Sequence, residues 1–345
     1  MLTLKKPLVS VIIPLLEINS YIVKENLPAM EKQTYCNFEV IVLPNEKKPE
    51  DQELLKKYQW LKIIPTGKIT RPALKRDIGV KNAQGEIIAF IDDDAYPDTL
   101  WLEKAVKAFE TQKAEAVCGP GLIPENANFW EKTFDEVLKT PIGTGGYTYR
   151  FIKKKERYVD DYPSMNFLIL KNVFEELGGF NNDYWPGEDS KLCNDLVYKK
   201  KGKILYHPEV AVYHHRRNDL KSFLKQHSNY GFHRGAFFAH GDANSRRLTY
   251  LMPTVFVLYL ITLLLVAFFI NFIKINGIII SIFLLPLILY LLGILYTFFL
   301  SLLDQKNPLI ALTAPFVLLS THLIYGIIFV KGYFKGTFNT QKIYD

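Results

Sequence analysis

Cysteine is scarce in this sequence: three residues in 345, Cys36, Cys118 and Cys193, far apart from one another. With no close pair they provide neither a disulfide framework nor a zinc cluster, and they suit a reducing compartment. A signal-peptide core is not expected either, because the apolar run 9–13 is too short for one. Charge is missing from three long stretches, 248–272, 278–303 and 309–330. Each is long enough to cross about 30 Å of hydrocarbon at about 1.5 Å per residue. A soluble core helix of that length would carry a polar face, so these are expected to be transmembrane helices, two of them kinked at Pro286 and Pro315. Residues 1–247 have the mixed composition of a soluble domain, and the length agrees with two parts.

The net charge of +7 is concentrated. Between Arg216 and Arg247 there are seven Lys or Arg against two Asp, just before the first apolar stretch. That pattern reads as a membrane-surface element attracted to anionic lipid, or as a solvated basic face. Nucleic acid is not expected as a partner. Arg246 and Arg247 place the start of the first span in the cytosol. Three spans would then carry Lys331, Lys335 and Lys342 to the other side, against the same rule, so a re-entrant or interfacial segment is a second arrangement.

Within the mixed part, apolar runs alternate with helix-compatible stretches. Residues 8–14, 38–44, 61–65 and 87–91 read as strands, and 21–33, 49–58 and 72–82 as helices. The alternation indicates βαβ units and a parallel sheet, an α/β fold. The run 87–91 ends in Asp92-Asp93-Asp94. Carboxylates at the C-terminal end of a buried strand lie where open α/β sheets place ligands. They repel one another, and their oxygens suit a hard cation, Mg²⁺ or Mn²⁺, shared with a phosphate. A solvated acidic turn would account for the same residues.

Further candidates follow downstream. Glu188-Asp189, after Pro186-Gly187, opens a helix-compatible stretch and is either a proton-accepting pair or an acidic helix start. His214 ends an apolar run beside His215, and neutral imidazole is a good Mn²⁺ ligand. Gln226, Tyr230 and Arg234 recur every four residues and so share one helix face. Lys153-Lys154-Lys155 with Arg157 would bind an acceptor phosphate or form a solvated loop.

Six segments, taken in order, resemble a family 2 glycosyltransferase of the GT-A fold. They are Val9-Ser10-Val11-Ile12-Ile13-Pro14, Lys75-Arg76-Asp77-Ile78-Gly79, Ala89-Phe90-Ile91-Asp92-Asp93-Asp94 with Pro97, Cys118-Gly119-Pro120, Leu177-Gly178-Gly179-Phe180 with Gly187-Glu188-Asp189, and the stretch from Tyr206 to His215. The resemblance covers roughly residues 7–240. It implies a Rossmann-like, mostly parallel GT-A domain over 1–215, a basic interfacial segment at 216–247, about three transmembrane helices within 248–335 and a tail at 336–345.

The resemblance also implies roles. The acid triad would be a DxD motif holding a nucleotide-sugar diphosphate through Mg²⁺ or Mn²⁺, with Asp92, Asp94 and His214 as ligands. Asp189 would be the catalytic base, with Glu188 orienting the acceptor or substituting for it. Pro14, Glu17, Arg76, Asp92, Asp93, Gln226 and Arg234 would contact the donor, a UDP-sugar by preference. The implied activity is inverting transfer, on the cytosolic face, to a lipid-linked saccharide or other membrane-proximal glycan. A polyprenyl phosphate is the alternative acceptor, and a catalytically silent membrane scaffold is the alternative of another class. Two departures stand out. The usual acid after the second strand is absent before Glu46, and Asp77 replaces an asparagine.

Overall fold

The computed structural model describes residues 6–180, 187–269 and 277–336. They divide into two compact units, one from residues 6–124 and 152–215, the other from 125–151 and from 216 onward. The expected tail from 337 lies outside the described residues.

The first unit contains strands β1 (Val9–Pro14), β2 (Phe38–Leu43), β3 (Leu61–Ile63), β4 (Ile87–Ile91), β5 (Ala95–Pro97), β6 (Ala116–Cys118), β7 (Gly121–Leu122), β8 (Arg157–Val159), β9 (Asn166–Leu170), β10 (Ile204–Tyr206) and β11 (Val212–His214). Eight of them form one sheet in the order β3-β2-β1-β4-β9-β6-β10-β8. β3, β2, β1 and β4 are mutually parallel, as are β6 and β10, while β9 and β8 run against their neighbours. β1 and β4 are buried along their whole length, which is why β4 reads as an unbroken apolar run and β1 as one interrupted only by Ser10. A second sheet, β5-β11-β7, places His214 opposite Ala95, directly after the acid triad.

The helix expected over 72–82 is present as Pro72–Asn82, with its proline in the first turn where no N–H is needed. The helix expected over 21–33 is instead a π-turn, Ile22–Asn26, running into a short helix, Leu27–Glu31. Pro28 has no N–H to continue the i→i−4 ladder, and the turn before it closes with Leu27 N–H donating to the Ile22 carbonyl.

The second unit is helical. Its Leu220–His240 helix starts at Asp219, whose side chain accepts from Ser222 N–H. Three helices, Leu248–Phe269, Gly277–Gln305 and Pro308–Lys335, are long and apolar enough to cross a membrane. Pro253, Pro286 and Pro315 lie inside them. Gly235 and Gly332 allow close approach, since a Cβ on either would meet backbone of Phe329 or Phe232 on the neighbouring helix.

Residues 125–151, which the sequence reading placed with the first domain, pack in this second unit. The Phe129–Leu138 helix, held by an Asn128/Glu131 capping box, stacks Phe134 on Phe223 with centroids 3.9 Å apart. Val317 and Leu318 complete that core. Around it Asp135 accepts from Arg216 at 2.7 Å, and Lys139 lies 2.8 Å from Asp304.

Candidate active site

The acid triad lies at the C-terminal end of β4, where buried strand gives way to an open turn. One ligand atom each from Asp92, Asp94 and His214 fall within 4.8 Å of one another. His214 Nε2 is 3.1 Å from Asp94 Oδ1. Adjacent strand residues face opposite ways. His215 accordingly points elsewhere, its Nε2 2.9 Å from Glu25 and its ring 4.6 Å from that of Tyr21. Two carboxylates and one imidazole are a donor set that Mn²⁺ or Mg²⁺ accepts. Asp93 takes another course: its Oδ2 accepts from Asn19 at 2.7 Å, and burial, then the charges of Asp94 and Asp92, push its pKa up to about 6.

Arg76 joins this cluster to the second carboxylate set. Its guanidinium donates to Asp92 Oδ1 at 2.6 Å and lies 3.6 Å from Glu188 Oε1. Both Arg76 and Glu188 are buried, their side chains 5% and 8% exposed. Glu188 and Asp189 open the Glu188–Asn194 helix after Gly187, whose φ of 122° suits only glycine. Burial and the Asp189 charge raise the Glu188 pKa to about 7, and Arg76 opposes the rise. Asp189 accepts from Ser190 N–H at 2.7 Å and Ser164 N–H at 3.4 Å. Ser190 Oγ donates to the buried Asp161, fixing the helix start.

The Leu177-Gly178-Gly179-Phe180 segment supports Arg76 from behind. Gly178 and Gly179 have φ of 82° and 69°, which turns the chain so that Phe180 N–H donates to Asp77 Oδ1 at 2.9 Å. Burial lifts the Asp77 pKa to about 6. The Phe180 ring packs on Phe90 and lies 5.7 Å from the Arg76 guanidinium. Asp77 thus holds the turn that shapes the Arg76 pocket. Neither this role nor that of Asn19 is legible from residue type alone.

Other expected residues are placed less centrally. Pro14 is the buried last residue of β1. Glu17 is exposed and pairs with Lys48 at 3.1 Å. Lys153 is half-exposed and 3.3 Å from Glu209, in keeping with a solvated loop. Gln226 and Arg234 belong to the second unit, where Arg234 donates to Ser245 Oγ at 2.9 Å. At the end of β2, buried Lys75 donates to the carbonyls of Leu15 and Leu43 and to Asn45 Oδ1, tying β1 to β2.

A mostly parallel sheet that gathers these acids at the end of β4 gives the first unit a fold resembling the GT-A glycosyltransferases. Residues 10–178 match the model of glycosyl transferase family 2, so the chain carries a family 2 glycosyltransferase domain. Among curated proteins it is 24% identical over 339 residues to dolichyl N-acetyl-alpha-D-glucosaminyl phosphate 3-beta-D-2,3-diacetamido-2,3-dideoxy-beta-D-glucuronosyltransferase of Methanococcus voltae, covering 95% of this chain and 98% of that one. It is 25% identical over 201 residues to glycosyltransferase AglE of Haloferax volcanii, covering 56% of this chain and 63% of the relative. Among solved structures, mannosyltransferase PcManGT from Pyrobaculum calidifontis, in complex with GDP-Man and Mn²⁺, matches with a TM-score of 0.62 at 15% identity. That match covers 96% of this chain and 88% of the other, and it bears out the fold expected from sequence.

Proposed function

We propose that this glycosyltransferase moves a sugar, with inversion, from a nucleoside diphosphate to a glycan acceptor carried on a membrane lipid. The observation that carries the chemistry is Arg76, which ties Asp92 of the triad to Glu188 of the downstream pair and so makes them one site. Asp92, Asp94 and His214 would hold a divalent cation, Mg²⁺ or Mn²⁺. The chemistry such a cation supplies when bound is stabilisation of the charge on a leaving diphosphate. Asp189 takes the proton of the acceptor hydroxyl as that oxygen bonds to the anomeric carbon and the bond to the diphosphate breaks. Glu188, held by Arg76, orients the acceptor beside it.

The lipid-borne acceptor is supported by the near full-length likeness to a relative whose name specifies a dolichyl-phosphate-linked sugar, and by the three apolar helices. Arg246 and Arg247, directly before Leu248, favour a cytosolic catalytic domain. The test is to incubate membranes carrying the full chain with labelled nucleotide sugars, UDP-sugars first, and to extract lipid. Label in the lipid fraction with wild type, lost with Asp94→Ala, is expected. Label confined to water-soluble products would overturn the reading.

A further inference from the structure

The second unit encloses a cavity of about 540 Å³ lined from the Pro141–Thr144 turn and the three long apolar helices. That volume lies in the range of small-molecule sites. Its wall is mainly apolar and aromatic, with Met252, Phe256, Leu289 and Tyr290 prominent. His227 lines it as a neutral ring: Nδ1 is 3.0 Å from the Phe223 carbonyl, and burial pushes its pKa down to about 4.

Charged groups lie behind one part of this lining, at Tyr250. Tyr250, part of its lining, stacks on Tyr147 with centroids 5.4 Å apart and planes 7° from parallel. The Arg150 guanidinium lies 4.7 Å from the Tyr147 ring centre, and that of Arg234 lies 4.3 Å from the Tyr250 ring centre. Two guanidiniums therefore flank two stacked phenols. Among the described residues the buried hydroxyls of Tyr147 and Tyr325 have no hydrogen-bond partner, and Tyr325 also lines the cavity. Buried hydroxyls are ordinarily bonded, so both await an acceptor that the protein does not supply.

We propose that this cavity seats the chain of a single-tailed isoprenoid phosphate, with Arg150, Arg234 and the two tyrosine hydroxyls receiving its phosphate. Phosphate oxygens are the acceptors such hydroxyls lack, and guanidinium geometry matches them. The chain enters from hydrocarbon, because the cavity wall is built from helices apolar enough to span a membrane. One bounded cavity admits one tail, whereas a diacyl phospholipid brings two. Aromatic walls also suit flat, methyl-branched isoprene units. The assignment rests on the lipid-borne acceptor proposed above and identifies where that lipid is held.

The full chain in nanodiscs is photolabelled with geranylgeranyl phosphate carrying a terminal diazirine. Labelled peptides are expected at Met252, Phe256 or Leu289, with competition by unlabelled geranylgeranyl phosphate but not by inorganic phosphate or phosphatidylglycerol. Arg234→Gln should raise the half-saturating concentration about 10–100-fold, the loss of one charge-assisted hydrogen bond. Leu289→Trp, which fills the cavity, should abolish labelling with the melting temperature retained; should that variant misfold, the wild-type label map decides alone. Label outside the cavity, or equal competition by phosphatidylglycerol or inorganic phosphate, overturns the proposal. Failure of the lipid-borne acceptor reading looks different: the label still maps to the cavity, but no sugar enters the lipid extract.

Discussion

Replacing Arg76 by glutamine removes a cation that touches both halves of the site. In the native protein its guanidinium is 3.6 Å from Glu188 Oε1, and both side chains are nearly out of solvent. At an effective dielectric constant of about 20, unit charges at that separation interact by about 4 kcal/mol, equivalent to about 3 pH units at most. Glu188 already titrates at about 7 with Arg76 in place. Without the cation its pKa should climb by about 2–3 units. At pH 7.5 the ionised fraction then falls from about three-quarters to between about 3% and about 0.3%.

If a Glu188 carboxylate is needed to orient the acceptor, kcat at pH 7.5 should fall about 25- to 250-fold in Arg76→Gln, following that fraction. The distinguishing readout is the pH profile. Wild-type kcat should rise along a limb near pH 7, and in the variant the limb should move to pH 9 or above, with activity partly recovered there. Donor KM should rise as well, because Asp92 loses its 2.6 Å partner. A single-turnover assay from pH 6 to 10 with saturating donor separates the two effects. An acid limb that stays near pH 7 in Arg76→Gln would refute the coupling of Arg76 to Glu188.

Three further outcomes follow from the same geometry. Glu188 binds its proton more tightly folded than unfolded, so stability should fall as pH rises from about 4.5 to about 7 and level off above, by roughly 3 kcal/mol in all; Glu188→Gln should flatten that slope in melting temperature, and an unchanged slope would count against it. Asp94→Ala should abolish turnover, while His214→Ala should leave activity that requires more Mn²⁺ for half-saturation; full activity of either in EDTA would rule out the metal role. Asp189→Asn should lower kcat about 10²–10⁴-fold with donor affinity nearly unchanged; a much smaller loss would point to an acceptor that is already ionised, such as a phosphate, and an equal loss of donor binding would show the residue misassigned.

Much of the first unit is legible in sequence because buried parallel strands leave mainly apolar runs, unbroken at β4 and interrupted only by Ser10 in β1 and Glu39 in β2. The acid triad is legible for the same reason, since it marks where such a run stops. What sequence leaves open is any choice between neighbours of one type. His214 ends β11 and His215 follows it, and which of the two meets Asp94 depends on strand register. The role of Arg76 needs distant contacts, to Asp92 at the sheet and to Glu188 far along the chain. For residues 125–151, Trp130, Phe134 and Val137 recur at helical spacing and announce an apolar face. Periodicity says nothing about which partner covers that face, and here it is Phe223 and Val317 of the second unit.

The end of β2 carries the reasoning one step further. The resembled family usually places an acid there, where it contacts the uridine. In this chain Lys75 occupies the space behind that position, its ammonium bonded to two backbone carbonyls and to Asn45 Oδ1. An ammonium only donates, so the Asn45 oxygen must face Lys75 and the amide NH₂ must face away. The end of β2 therefore presents a hydrogen-bond donor where an acid would present an acceptor. A base carbonyl complements that donor, and a base N–H does not. Burial holds the Lys75 pKa below its usual value, yet three oxygen acceptors around one ammonium keep the arrangement satisfied. The donor is thus set by the β1–β2 junction, and changing Asn45 to aspartate would keep one oxygen on Lys75 and turn the other, an acceptor, outward where the NH₂ now faces.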